Sequence, residues 1–154
     1  MSVEGKRDRM LQLCARIHAV AVRLGELDRH RSAARCGSDT IMPRGVIVGC
    51  GLLLKVVREL MSEIQSEPTV VGEATVAKAK RRAEPVLARM GWLESFEANG
   101  ARREFEIVAP ETIVELLMLW SVSKVVGDAV QLCIVHQLDV TELVGGGSAS
   151  DGGR

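Results

Sequence analysis

The sequence has no tyrosine, two tryptophans and two phenylalanines. Its core must therefore be filled mostly by Leu, Val, Ile, Ala and Met, which suits helices packed on helices. It also lacks an excess of either charge, since 20 Lys and Arg face 20 Asp and Glu. That excludes a surface coated uniformly in basic groups, the mark of a nonspecific polyanion binder. No disulfide framework is visible. Cys14, Cys36, Cys50 and Cys133 are scattered, and they read as reduced, buried thiols of a cytoplasmic protein. A long uninterrupted apolar run is missing too. Residues 46–57 fall short of the ~20 that a bilayer needs, and residues 113–135 are broken by Glu115, Lys124, Asp128 and Gln131. Residues 1–9 are charged, and Arg16 and Arg23 interrupt the segment that follows, so no signal peptide is expected. These absences together predict a cytoplasmic protein with no membrane contact.

Catalytic signatures are equally scarce. Gly49-Cys50-Gly51 lacks the Lys-Ser/Thr ending of a phosphate loop. His30 and Cys36 sit in a polar stretch without an orienting motif, so a nucleophile and base pair is not expected there. Cys14 and His18 are four apart, and Cys133 and His136 are three apart. That spacing permits a tetrahedral zinc site if their helices pack together. All four lie in apolar runs, however, where buried cysteine and a satisfied core histidine explain the same residues. The sequence therefore predicts no enzyme, no metal and no cofactor.

What is present is a chain of 154 residues, 47% apolar, the size of one domain. We place that domain over residues 1–144. Its charge is polarised. Residues 1–35 carry Lys6, Arg7, Arg9, Arg16, Arg23, Arg29, Arg31 and Arg35 against Glu4, Asp8, Glu26 and Asp28. From Phe105 onward the balance reverses, with seven acidic residues against Lys124 and Arg154.

Helical periodicity appears first over residues 6–27, where Met10, Leu13, Cys14, Ile17, Val20, Ala21, Leu24 and Leu27 form one stripe. Arg9, Arg16 and Arg23 run down the opposite side and read as a solvated face. Residues 28–43, with breakers Gly37, Ser38, Asp39 and Pro43, read as a linker or surface loop. A second helix is predicted over residues 46–64. Thr69-Val70-Val71 beyond it is a short strand or an extended turn. A third helix, residues 74–90, sets Ala79, Ala83, Val86, Leu87 and Met90 on one face and Lys78, Arg81, Arg82 and Arg89 on another. Pro85 either kinks it or starts a second short helix.

Residues 92–108 read as two strands around Asn99-Gly100, a dipeptide that supplies the positive φ of a tight hairpin turn. A two-residue turn sets Trp92 opposite Ile107, Glu94 opposite Phe105 and Phe96 opposite Arg103, and it pairs Glu97 with Arg102. Trp92, Phe96, Phe105 and Ile107 then converge on one face. Pro110 suits the first turn of a last helix. That helix, through Trp120 to about Leu138, is too apolar to face solvent and must be buried in the core or against a partner chain. Residues 145–154, rich in Gly and Ser, read as a disordered tail.

The expected fold is thus mainly α with one β-hairpin. A basic helix ending at Met90-Gly91-Trp92-Leu93 and followed at once by a hairpin resembles the winged helix-turn-helix superfamily. The resemblance covers about residues 46–108, with flanking N- and C-terminal helices as in dimeric regulators of the MarR-like kind. It implies a DNA-binding transcriptional regulator or nucleoid-associated factor, homodimeric through the last helix. Carried over, Thr75, Lys78, Arg81 and Arg82 face DNA from the helix, and Asn99, Arg102 and Arg103 face it from the wing. Residues 65–72 make a longer turn than the three or four residues usual in this motif. The alternative is a noncatalytic adaptor or small subunit of a nucleoprotein or transcription complex, using the same fold for protein or RNA contacts.

Overall fold

The structure, a computed structural model, describes residues 2–29, 35–96 and 104–152, with side chains described over residues 2–25, 37–96 and 104–137. In chain order the elements are α1 (Val3–Arg29), β1 (Arg35–Cys36), β2 (Asp39–Pro43) and α2 (Arg44–Ser66). A 3-10 turn (Pro68–Val70), α3 (Glu73–Leu87), α4 (Gly91–Glu94), β3 (Phe105–Val108) and α5 (Pro110–Gly152) follow. The chain is mainly α with one β-hairpin, β1–β2, to which β3 adds in the order β1-β2-β3.

α2 is the hub. It buries Val46, Ile47, Cys50, Leu53, Leu54, Val56, Val57, Leu60, Met61 and Ile64, which leaves one narrow exposed strip through Leu52, Lys55, Glu59 and Ser62. A helix that is apolar nearly all round must be enclosed, and α1, α3, α4 and α5 all pack on it. α1 runs antiparallel to α2, with Arg9 paired to Glu59 at 2.5 Å and Lys6 near Glu67 at 3.9 Å. α5 runs antiparallel to α1. The Trp120 Nε1–H donates to the Ala21 carbonyl at 3.0 Å, and further along Gly127 lies on Ile17, where a β-carbon would meet Cγ2 at 3.3 Å. The backbone of α5 is helical to Gly152 and so takes in residues 145–152, which the composition gives to a disordered tail.

Residues 35–43 are a hairpin rather than a loop. Gly37 and Ser38 form its two-residue turn, and Gly37 takes a φ of +66°, open to glycine without strain. β2 then delivers Met42 to the core and runs straight into α2. Thr69-Val70-Val71 is neither strand nor extended turn, because Pro68 sets a 3-10 turn that buries Val70. Pro85 falls in the last turn of α3 and does not start a new helix; the helix ends two residues later, at Leu87.

The largest departure concerns residues 92–96. They do not form a strand opposite Phe105 and Ile107. Gly91–Glu94 make one helical turn, α4, which buries Leu93 against α2, and Ser95 caps it through the Trp92 carbonyl at 3.1 Å. A strand would have put Leu93 on the outer face, and burying that leucine favours the helical turn. β3 pairs instead with β2, in the register Thr40↔Val108, Ile41↔Ile107, Met42↔Glu106 and Pro43↔Phe105. The four large apolar side chains do not converge. Phe105 and Ile107 are exposed, Trp92 stands at the surface, and Phe96 packs on the core beneath the Arg44 guanidinium, 4.8 Å above its ring. Glu94 pairs with Arg58 of α2 and not with Phe105. Residues 97–103, with Asn99-Gly100 and the Glu97 to Arg102 pair, lie outside the described residues.

Candidate nucleic-acid interface

α3 is positioned by its buried side. Val76, Ala79, Ala83, Val86 and Leu87 recur at helical spacing and pack on α2 and α5. Gly72, at a φ of +92°, lets the chain turn into the helix. At the other end the Arg58 guanidinium reaches from α2, donates to the Leu87 carbonyl at 3.2 Å and pairs with Glu94 of α4. One arginine therefore anchors both the end of α3 and the turn after it.

With that side fixed, the rest of the helix follows from 100° per residue. Lys78, Arg81 and Arg82 are exposed on α3, and Arg89 continues their line just past its end. Lys80 lies on another flank and pairs with Glu84, four residues on, at 3.7 Å. Among the described residues none of Lys78, Arg81, Arg82 and Arg89 forms a salt bridge. Four cations on one strip repel each other and attract counterions, which is a standing electrostatic bias toward an anion.

Thr75 is placed differently from the other three helix positions. It is half-buried, and its Oγ1 lies 3.5 Å from the Cys133 Sγ of α5. Its hydroxyl is therefore engaged in the α3–α5 seam. Asn99, Arg102 and Arg103 lie outside the described residues. Arg89 belongs with the exposed set, and the same helical spacing that found Lys78, Arg81 and Arg82 also found it.

The cysteine and histidine pairs do not meet. Cys133 turns toward Thr75 of α3, Cys14 is buried where α1 crosses α5 near Gln131 and Asp128, and His18 and His136 are exposed. Among the described residues no group of three His, Cys, Asp or Glu stands where it could hold a metal ion. Burial pushes the Cys14 thiol from its ordinary 9.0 up to about 12, with the Asp128 charge adding to the shift. Burial does the same for Cys50. Both are neutral thiols at physiological pH, unsuited to nucleophilic attack.

A groove of about 170 Å³ opens between α2 and α4, floored by Ile47, Gly51 and Leu93, with Lys55 and Glu94 at its rim. No helix among the described residues is long and apolar enough to cross a membrane. No family model, curated protein or solved structure matches this chain.

Proposed function

We propose that the protein is a noncatalytic, cytoplasmic DNA-binding protein, a transcriptional regulator or nucleoid-associated factor of winged-helix type, that works as a homodimer paired through its last helix. The observation that carries the reading is the exposed strip of Lys78, Arg81, Arg82 and Arg89 on and just after α3, free of acidic partners among the described residues. Such a strip releases counterions from phosphates, and Arg or Lys can also donate to guanine edges in the major groove. The order of elements supports it as well: a helix, a basic helix, then a strand paired antiparallel to the strand that precedes the first of those helices. Asn99, Arg102 and Arg103 are the proposed wing contacts. With four phosphate contacts, from Lys78, Arg81, Arg82 and Arg89, log K should fall against log salt with a slope of roughly −3.6.

The double substitution Arg81→Glu with Arg82→Glu tests the assignment, read by fluorescence anisotropy on a genomic fragment pool. Both side chains are exposed, so the far-ultraviolet circular dichroism should be unchanged while binding is lost. A folded double variant that binds like the parent would remove α3 as the contact surface.

The adaptor reading has one observation in its favour, the exposed apolar side of α5, where Leu132 is 69% exposed. Salt separates the two. A docking interface built on apolar contact holds its affinity as salt rises, whereas phosphate contacts weaken steeply.

A further inference from the structure

α5 has two apolar sides, and this chain uses one. Leu116, Leu119, Val122, Val126, Val130 and Ile134 are buried against the rest of the fold. On the opposite side Val114, Leu117, Met118, Val125, Leu132 and Val135 are between 40% and 69% exposed. Ser121 lies in the same line, and so does Asp128 on its α1 side, where its charge reaches Cys14. From Met118 the line steps through residues 118, 121, 125, 128, 132 and 135, alternating three and four. That is the spacing of a two-helix seam, and it extends about 25 Å at 1.5 Å per residue. A stripe this long exceeds the scattered apolar exposure of an ordinary surface.

We propose that this side of α5 is closed by the same side of a second copy of the chain, with the two helices antiparallel. The inference rests on the homodimer part of the proposed function and is independent of the DNA-binding part. Asp128 decides the orientation. Parallel helices in register would set Asp128 against the partner's Asp128 inside an apolar seam, where like charges repel and neither is well solvated. They would also set small Ser121 on the partner's Ser121 and large Leu132 on the partner's Leu132, leaving a gap at one level and crowding at another. Antiparallel helices centred between Val126 and Gly127 remove all three conflicts. Met118 meets the partner's Val135, Ser121 makes room for the partner's Leu132, and Asp128 comes beside the partner's Val125 and Lys124. The Lys124 ammonium lies 4.8 Å over the Trp120 ring at the edge of the stripe, within one side chain's reach of that carboxylate. A stable interface takes roughly 800 Å² per partner, of which these apolar side chains would supply the central part and the polar residues flanking them the rim.

Sedimentation equilibrium of the full chain without DNA tests the proposal. The parent should be a dimer at micromolar concentration. Leu132→Glu, at the most exposed position, should raise the dimer dissociation constant about 100-fold or more with unchanged circular dichroism. Asp128→Lys should raise it about tenfold, and adding Lys124→Asp should restore it, because the pair is exchanged across the seam. A monomeric parent, or a Leu132→Glu variant that dimerises like the parent, overturns the dimer. A dimer whose affinity ignores Asp128→Lys, or is not restored by the exchange, overturns the antiparallel arrangement. Anisotropy on DNA fragments is read separately, so loss of the dimer and loss of the α3 assignment remain distinct results.

Discussion

α3 and α5 lie side by side on α2, each held by a buried stripe, yet their outer sides carry opposite chemistry. The outer side of α3 presents Lys78, Arg81 and Arg82. That of α5 presents Met118, Val125 and Leu132, with a single carboxylate between them. The fold needs only the inner stripes. What the outer sides carry is therefore free to specify partners, and here one is suited to a polyanion and the other to a second apolar helix. A charged outer side is soluble by itself; an apolar one costs solubility unless something covers it.

Truncating one leucine on each side of α5 should separate the two sides most strongly. Leu119, fully buried, should cost about 2–5 kcal/mol as Leu119→Ala, from lost transfer energy and the cavity left behind. Leu132→Ala should stay within about 0.5 kcal/mol when unfolding is followed at concentrations low enough to keep the chain monomeric. Equal losses from urea denaturation would mean that the two sides of α5 are not distinct.

That distinction was not legible in the sequence. α3 could be read because its Lys and Arg positions mark the wet side against Ala79, Ala83 and Val86. α5 offers few such marks, so its apolar run predicted burial in the core or against a partner without saying which residues go where. The helices as a whole were legible, since periodicity is local. The sheet was not. Asn99-Gly100 drew residues 92–96 into a strand, but Leu93 has a place against α2 that only one helical turn can reach. The true partner of β3 is β2, more than sixty residues back, and nothing in the local pattern of Phe105–Val108 names it. β1 and β2 did carry a signal. Gly37-Ser38 is a good two-residue turn, but the charged, breaker-rich stretch around it reads equally as loop.

Alkaline pH probes the inner side in a second way. Cys14, buried where α1 crosses α5, and Cys50, buried in α2, have folded values near 12 against an ordinary 9.0. The folded state therefore keeps protons that the unfolded chain loses between those values. Stability is fully present below about pH 9 and falls as pH rises toward 12. Alkaline denaturation should show that fall, and Cys14→Ala with Cys50→Ala should flatten it. At pH 8 both thiols should react with a small alkylating reagent far more slowly than Cys133, which is half-buried. A fall of the same steepness without the two cysteines would assign it to other groups.

The finest test exchanges the expected signs of two alanine substitutions on α5. Helix propensity alone favours both, by about 1 kcal/mol at Gly127 and about 0.5 kcal/mol at Ser121. Gly127, however, faces inward. Its new β-carbon would stand 3.3 Å from Ile17 Cγ2, and Ile17 is 1% exposed and stiff at χ1, so it cannot yield without moving α1. Crowding of that kind offsets the propensity gain, and Gly127→Ala should be neutral to mildly destabilising. Ser121 points to the outer side, where the alanine meets nothing in the monomer. Ser121→Ala should therefore raise the thermal midpoint of the monomer slightly while Gly127→Ala does not. Were Gly127→Ala the more stabilising of the two, α1 and α5 would have to pack less closely than the Ile17 contact requires, and the inner side of α5 would lose its claim to be the fixed one.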